Sequence, residues 1–436
     1  MAKIQPVTII KVLLTIIILA TASVFSHAFA QIIYDKTYKP EIKTVLIYKK
    51  GWELSAPVIE MESNEQVELV FDELGTKSST YAWKLEHCNM FWEKDQLEPV
   101  EFLSGFENGD ITVITFSQNT LVNYVNYKLN LPLKKNRILK SGNYIIKVYE
   151  RNNPDKVLLT RRFYVMEPKV EINGIVDQLK VNVKEGLNQR LDLEIKTYDS
   201  EILNPREEIG LKVIKNGFPE KNFANIKPSF ISDNIIKYTD NDSLCFAGGN
   251  EFRHFDIKSI KFLSDRLQDI KGGTNGTDVY LTADENQSHE PYKFVKDING
   301  NRTVKLENSD ISNYMADYCN VIFSLKTGLL LQDGDYYVFG AFNDWQFNDS
   351  NKLQYDPSAK LYFLKTLLKQ GYYNYQYLFK TNDDLLSGEE NYYILEGNHF
   401  QTENEYQVFV YYRDISAGFD RLIGYKVISS SNAGKF

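Results

Sequence analysis

The chain has 436 residues, with 50 Lys and Arg against 58 Asp and Glu, and a formal charge of −8. A mildly acidic chain without basic runs excludes nucleic acid and an anionic membrane surface as its main partners. The length predicts two to four domains of about 100–200 residues each, and 29 Tyr and 26 Phe beside 5 Met favour strands.

The first thirty residues read as an export signal. Lys3 and Lys11 precede the apolar run Val12-Leu-Leu-Thr-Ile-Ile-Ile-Leu-Ala20, and Ala28-Phe-Ala30 places small residues before Gln31. The run is shorter than the ~20 apolar residues that a membrane-spanning helix needs, so cleavage after Ala30 is expected. Loss of the two lysines takes the charge from −8 to −8 − 2 = −10. No Cys follows the run and no twin arginine precedes it, which points to general export without a lipid anchor. With no second long apolar stretch, the exported chain is expected to be soluble.

Alternating strands follow in chain order. Val67 to Phe71, Tyr81 to Leu85, Ile111 to Phe116, Tyr144 to Tyr149 and Leu158 to Val165 form a first block, with turns at Asn108-Gly109, Ser141-Gly-Asn143 and Asn152-Asn-Pro154. A second block carries Val170 to Gly174, Leu191 to Ile195, Leu211 to Ile214, Val279 to Leu281 and Val321 to Leu325. Asn216-Gly217, Asn275-Gly276 and Asn299-Gly300 are hairpin signals within it. Asp199 to Arg206 and Lys221 to Ser229 lack period and read as loops. A third block carries Tyr336 to Phe342, Leu361 to Lys365, Tyr373 to Phe379 and Tyr406 to Tyr412, before a frayed tail from Ser429 to Lys435. The expected fold is all-β, with tandem antiparallel β-sandwich domains of immunoglobulin-like or early-set-like type. Their limits are 1–30 for the signal peptide, 31–168 for an N-terminal β-sandwich, 169–327 for a middle β-rich domain and 328–436 for a C-terminal β-sandwich.

Motifs that carry chemistry are sparse. Cys88, Cys245 and Cys319 are odd in number and far apart, so complete internal pairing is impossible and buried apolar thiols are expected. The histidines at 27, 87, 254, 289 and 399 are scattered and no Cys-x-x-Cys occurs, so no zinc site is expected. His87 and Cys88 are strand neighbours that point to opposite faces, which rules out a dyad between them. Asp110, Asp256, Asp317 and Asp414 sit beside strands, where turn capping is the ordinary role, although a carboxylate pair could serve glycoside hydrolysis. No Gly-x-Ser-x-Gly elbow is present. Asp297 to Asn301 and Asp333 to Asp335 hint at calcium loops, but Arg302 and Asn308 stand where an EF-hand needs Gly and Glu.

Phe339-Gly-Ala-Phe-Asn-Asp-Trp345 resembles the strand-turn of glycogen-binding and early-set modules, in which aromatics can stack on sugar. The opposing expectation is that Phe342 and Trp345 plug the core while Asn343-Asp344 turns the chain. Tyr372 to Tyr377 is expected to give tyrosines to both faces of a strand, one row in the core and one available to a partner.

An ordered set of fragments carries a wider resemblance: Lys84-Leu-Glu-His-Cys-Asn89 with Trp92, Phe102 to Phe106, Ser117 to Thr120, Tyr124 to Tyr127 before Pro132, Ser141 to Tyr144, Arg162-Phe163, Gly248 to Phe252, Ala316 to Tyr318, Gly340 to Asn343 and Lys369 to Tyr375. Together they resemble the type IX secretion system plug proteins of Bacteroidetes, over nearly all of the chain beyond the signal. The resemblance implies a periplasmic protein that seals the periplasmic mouth of a giant outer-membrane β-barrel translocon, a class of barrel that reaches roughly 36 strands. It implies no catalytic residue, no cofactor, no metal, no nucleic acid, no small-molecule substrate and no insertion into the membrane. The partner interface stays unknown at this stage. The alternative is a secreted or periplasmic carbohydrate-binding β-sandwich protein.

Overall fold

The computed structural model describes residues 34–178, 187–198, 202–218, 226–273, 276–307, 312–328, 333–382, 394–414 and 418–432. The expected signal peptide lies outside them, as do Asn275, residues 199–201 and 221–225 of the two expected loops, and the end of the tail. Every described element longer than four residues is a strand, and no helix among the described residues is long and apolar enough to cross a membrane. The all-β sandwich architecture read from the sequence is what the chain adopts.

The strands pair into three sandwiches. In the first, Lys36–Thr37, Asn153–Met166, Gly142–Glu150, Tyr81–Cys88 and Asn108–Asp110 form one sheet in that order, with Val58–Glu60 added in parallel. Ile42–Lys49, Val67–Leu74, Tyr124–Leu131 and Val113–Phe116 form the other. Val67, Leu69 and Phe71 from one sheet meet Trp83, Leu85, Ile146 and Val148 from the other. These residues recur every second position, so each strand sends one row into the core.

The second sandwich shows the same period most cleanly. Along Asn188–Thr197 burial alternates at every residue, with Gln189, Leu191, Leu193, Ile195 and Thr197 inside. This strand lies between Val170–Gln178 and Ile235–Tyr238. The facing sheet contains Ile209–Lys215, Glu405–Asp414 and Phe419–Ser429, and Leu211, Val408 and Ile423 close the core from that side. Asn216-Gly217 makes the expected two-residue turn, with φ of +50° and +71°.

The third sandwich is inserted into the second. The chain leaves after Cys245–Ala247 and pairs Leu267–Gly273, Gly276–Leu281, Tyr318–Lys326, Leu361–Lys369 and Gln354–Asp356 into one sheet. Gly371–Thr381, flanked by Arg253–Asp256, Arg302–Val304 and Gly334–Phe339, forms the opposite layer. The chain then returns to the second sandwich at Glu405. Strand pairing therefore does not follow the expected limits of 169–327 and 328–436. Ile209–Lys215 takes its partner from Glu405–Asp414, and Gly276–Leu281 joins the sheet of Leu361–Lys369 through Tyr318–Lys326. At the crossing, a Cβ on Gly248 would lie 2.0 Å from the carbonyl oxygen of His399, so only Gly lets the departing and returning chains pass.

Deep side-chain contacts join the sandwiches. The outward row of Val67–Leu74 holds Glu68, Val70 and Asp72, yet all three are buried, because the third sandwich covers that face. Asp72 Oδ2 accepts from Lys369 Nζ at 2.6 Å and from the Tyr318 hydroxyl at 2.7 Å, while Oδ1 accepts from Asn126 Nδ2 at 2.7 Å. Lys369 also donates to the Asn313 carbonyl and lies 4.0 Å from the centre of the Tyr124 ring. Asp317 extends the seam by accepting the Leu121 and Val122 amides of the first sandwich. Between the first and second sandwiches, Cys88, Met90, Trp92, Ile145 and Tyr164 pack on Ile214, Phe409, Tyr411 and Leu422. Arg421 clamps both oxygens of Glu167 at 2.7 and 3.0 Å.

Removing one member of a buried pair strands the other charge. Lys369→Met is expected to lower the unfolding free energy by about 3–5 kcal/mol, measured by denaturant titration. Asp72→Asn combined with Lys369→Met should recover a large part of the loss, because no charge then stays buried alone. An additive double loss would contradict this account of the seam.

Candidate functional site: a cationic cleft where three sandwiches meet

The three sandwiches enclose a cleft of about 1420 Å³. The first contributes Val45 to Lys49, the Trp52 to Ala56 loop, Arg161, Arg162 and Tyr164. The second contributes Lys212, Ile214, Asn216 to Phe218 and Tyr425, and the third contributes Arg302, Asp344, Trp345 and Phe347. Lys212 reaches the cleft because Gly210, Lys212 and Ile214 form the row of their strand that faces the first sandwich, where Gly210 abuts Met90. Leu211 and Val213 point to the opposite side, into the second core.

The charged side chains on the inner wall are cations. Arg161, Lys212 and Arg302 are buried, whereas Asp35, Glu53 and Asp344, which also line the cleft, keep partial exposure. Arg161 Nη2 spans both Asp344 oxygens at 3.1 and 3.0 Å. Asp35 accepts the Arg162 amide at 2.7 Å, and Glu53 accepts the Val304 amide at 2.8 Å. Arg302 Nη2 donates to the Val45 carbonyl at 2.9 Å, but its buried Nε has no acceptor. Lys212 lies 5.7 Å from the centre of the Trp92 ring, and Arg162 lies 4.5 Å from the same ring.

These positions perturb titration. Burial first, and then the Arg162 charge, lower the Lys212 ammonium to about 7, while Asp35 acts in the opposite sense. Burial also lowers Arg302 and raises the Asp35 carboxyl against the pull of Arg162 and Arg161. A wall that holds cations at such a cost is complementary to an anionic group.

The residues singled out in the sequence do not converge here. His87 is buried with its ring nitrogens facing Asp95 and the Ser141 carbonyl, and Cys88 points the other way into the interface with the second sandwich. Asp110 pairs with Arg151 at the surface, Asp256 holds the Lys258 amide and ammonium, and Asp317 caps amides. The side chain of Asp414 lies outside the described residues. Asp297 accepts the Phe252 and Asn299 amides, and burial raises it to about 7. Asp335 pairs with Lys352. Among the described residues, no three His, Cys, Asp or Glu side chains are placed to hold a metal ion.

The aromatic motifs are resolved differently from expectation. Phe342 packs against Phe323 and Tyr373 at the third core. Trp345, at φ +54°, leaves the core and packs on Phe218 and Phe252 at the edge of the cleft. Tyr373, Tyr375 and Tyr377 all lie in the third core, and the alternate positions carry Asn374 and Gln376, both buried. The expected exposed tyrosine row is therefore absent from this strand. Tyr372, stacked on His254, is its half-buried remainder.

Sequence reasoning missed Lys212 and Arg302. In Ile209-Gly-Leu-Lys-Val-Ile-Lys215, a lysine at an alternate position reads as a solvated face. Only the covering of that face by another sandwich gives it meaning.

Comparison with known proteins adds the family. The model of the type 9 secretion system plug protein 1st domain matches residues 42–167, the bulk of the first sandwich. A crystal structure of a hypothetical protein from Parabacteroides merdae is similar over 91% of this chain and 99% of its own, at 31% identity and a TM-score of 0.84. A search of curated proteins returned no match.

Cys88 and Cys319 are free and buried and Cys245 is partly buried, and burial pushes the Cys88 and Cys319 thiols up to about 12. In the folded protein an aromatic disulfide reagent at pH 8 is expected to titrate Cys245 alone, and all three thiols after denaturation. Rapid reaction of more than one thiol in the native state would contradict the packing of Cys88 or Cys319.

Proposed function

This chain belongs to the type 9 secretion system plug protein family, and from that premise we propose that it binds and seals the periplasmic opening of the giant outer-membrane β-barrel through which type IX cargo leaves. The family ties the chain to type IX secretion and to the cell envelope, and it is a family of secretion plugs, not of enzymes. The observation that carries the proposal is the family match over the first sandwich; the hypothetical protein from Parabacteroides merdae shares the fold over 91% of the chain. In this reading the chain is periplasmic, exported by a cleavable signal peptide, and held at the outer membrane only through the translocon.

The architecture is suited to the task. Sealing a wide lumen needs a body that does not yield, and a stable contact should bury at least about 1,200 Å². Joined domains with small polar interfaces move by default. Here a buried ion pair, an aromatic seam and an interleaved chain oppose that motion, so little conformational entropy is lost on docking. The carbohydrate-binding reading has less support, because Trp345 is half-buried among Phe218, Phe252 and Phe339 and the tyrosine row is core.

Affinity capture with the tagged, exported form of the chain from detergent-solubilised envelope of its host is expected to recover one very large outer-membrane barrel, identified by mass spectrometry. Recovery of the bait alone, with the barrel intact and free of cargo, would overturn the proposal.

A further inference from the structure

We propose that the cleft at the three-sandwich junction is a binding site for an extended acidic peptide segment, whose carboxylates are received by Lys212 and Arg302, two buried cations of its lining. The inference does not rest on the plug reading. Lys212 is nine-tenths buried, and among the described residues no carboxylate or hydrogen-bond acceptor meets its Nζ; its recorded contact is the face of Trp92. Arg302 spends one nitrogen on the Val45 carbonyl and keeps a buried Nε without an acceptor. A buried guanidinium nitrogen without an acceptor calls for a partner, which a ligand in the cleft would supply.

Neighbouring charges sharpen the case. Arg162 repels Lys212 while Asp35 pulls the other way, and at Arg302 the attraction of Asp344 is set against repulsion from Arg161. Asp344 is committed to Arg161, and Asp35 to the Arg162 amide. The wall therefore carries more buried positive charge than its own acids answer, in a protein whose formal charge is −8. A carboxylate at Arg302 would satisfy its Nε with a charge-assisted bond, and one at Lys212 would offset the Arg162 repulsion.

The shape of the cleft selects a peptide over a small ion. At about 1420 Å³ the cleft exceeds the ~300–1,000 Å³ usual for small-molecule sites. Its outer wall presents Trp52, 70% exposed, and Leu54, 47% exposed. An extended segment with an acidic residue next to an apolar one would satisfy both the floor and the rim.

The test is titration of the full exported chain with a short Glu- and Leu-containing peptide, followed by tryptophan fluorescence, since Trp52 and Trp345 line the cleft. Its Gln-for-Glu counterpart and inorganic phosphate are run as parallel arms. The Glu peptide is expected to bind at least about tenfold more tightly than the Gln peptide and than phosphate, and Lys212→Met to weaken it by about tenfold or more. Removing a buried, unpaired charge should leave the fold intact or stabilise it, which circular dichroism and thermal unfolding check. Arg302→Gln is a second variant, with the same loss expected, should Lys212→Met misfold. Equal binding of the Glu and Gln peptides, unchanged affinity in folded variants, or phosphate binding as tight as the Glu peptide would overturn the proposal.

Discussion

The contact between Asp72 and Lys369 sets the geometry of this molecule. A β-sandwich solvates the outward row of its strands, and Asp72 stands in such a row. Here the third sandwich covers that face, and two ions leave water together. Such burial is tolerated only when every donor and acceptor is answered. Asn126, Tyr318, the Asn313 carbonyl and the Tyr124 ring provide the answer. A small rotation of the third sandwich would break several of these contacts at once, so the pair specifies one arrangement and not a range of them.

The interleaved chain gives that arrangement its second constraint. The second sandwich is completed only after the third has been made, because Glu405–Asp414 is a central strand of its facing sheet. The third sandwich is thus tethered at both ends, and the crossing at Gly248 and His399 leaves no room for a side chain. With the first sandwich fixed to the other two by the Asp72 seam and by the Tyr164–Phe409 stack, whose ring centres lie 4.4 Å apart, the cleft is enclosed by three bodies that hold each other in place. Its inner cations follow from this. Lys212 would be an ordinary surface residue in an isolated second sandwich.

Much of the fold was legible in the sequence, because period-two alternation is a local signal. Asn188–Thr197 announces its buried face residue by residue, and Asn216-Gly217 announces its turn through the φ values that Asn and Gly accept. The closure of the second sandwich was not legible. Nothing local in Ile209–Lys215 indicates that its partner lies beyond an inserted sandwich, so consecutive blocks were the natural reading. The tyrosines of Gly371–Thr381 misled for a related reason. Three of them share one parity, and polarity suggested that the other row, Asn374 and Gln376, was solvated, whereas a covering layer buries it. The cleft was invisible on the same ground, since a lysine in an alternating strand carries no mark of what lies opposite.

The most direct test of the central claim is leakage through the isolated barrel, reconstituted into liposomes loaded with a small fluorescent dye. Addition of this chain to the periplasmic side is predicted to suppress dye release to the level of barrel-free liposomes, with saturation near one chain per barrel. Unchanged leakage at saturating protein, with the chain bound and folded, would contradict the claim that this body closes the lumen.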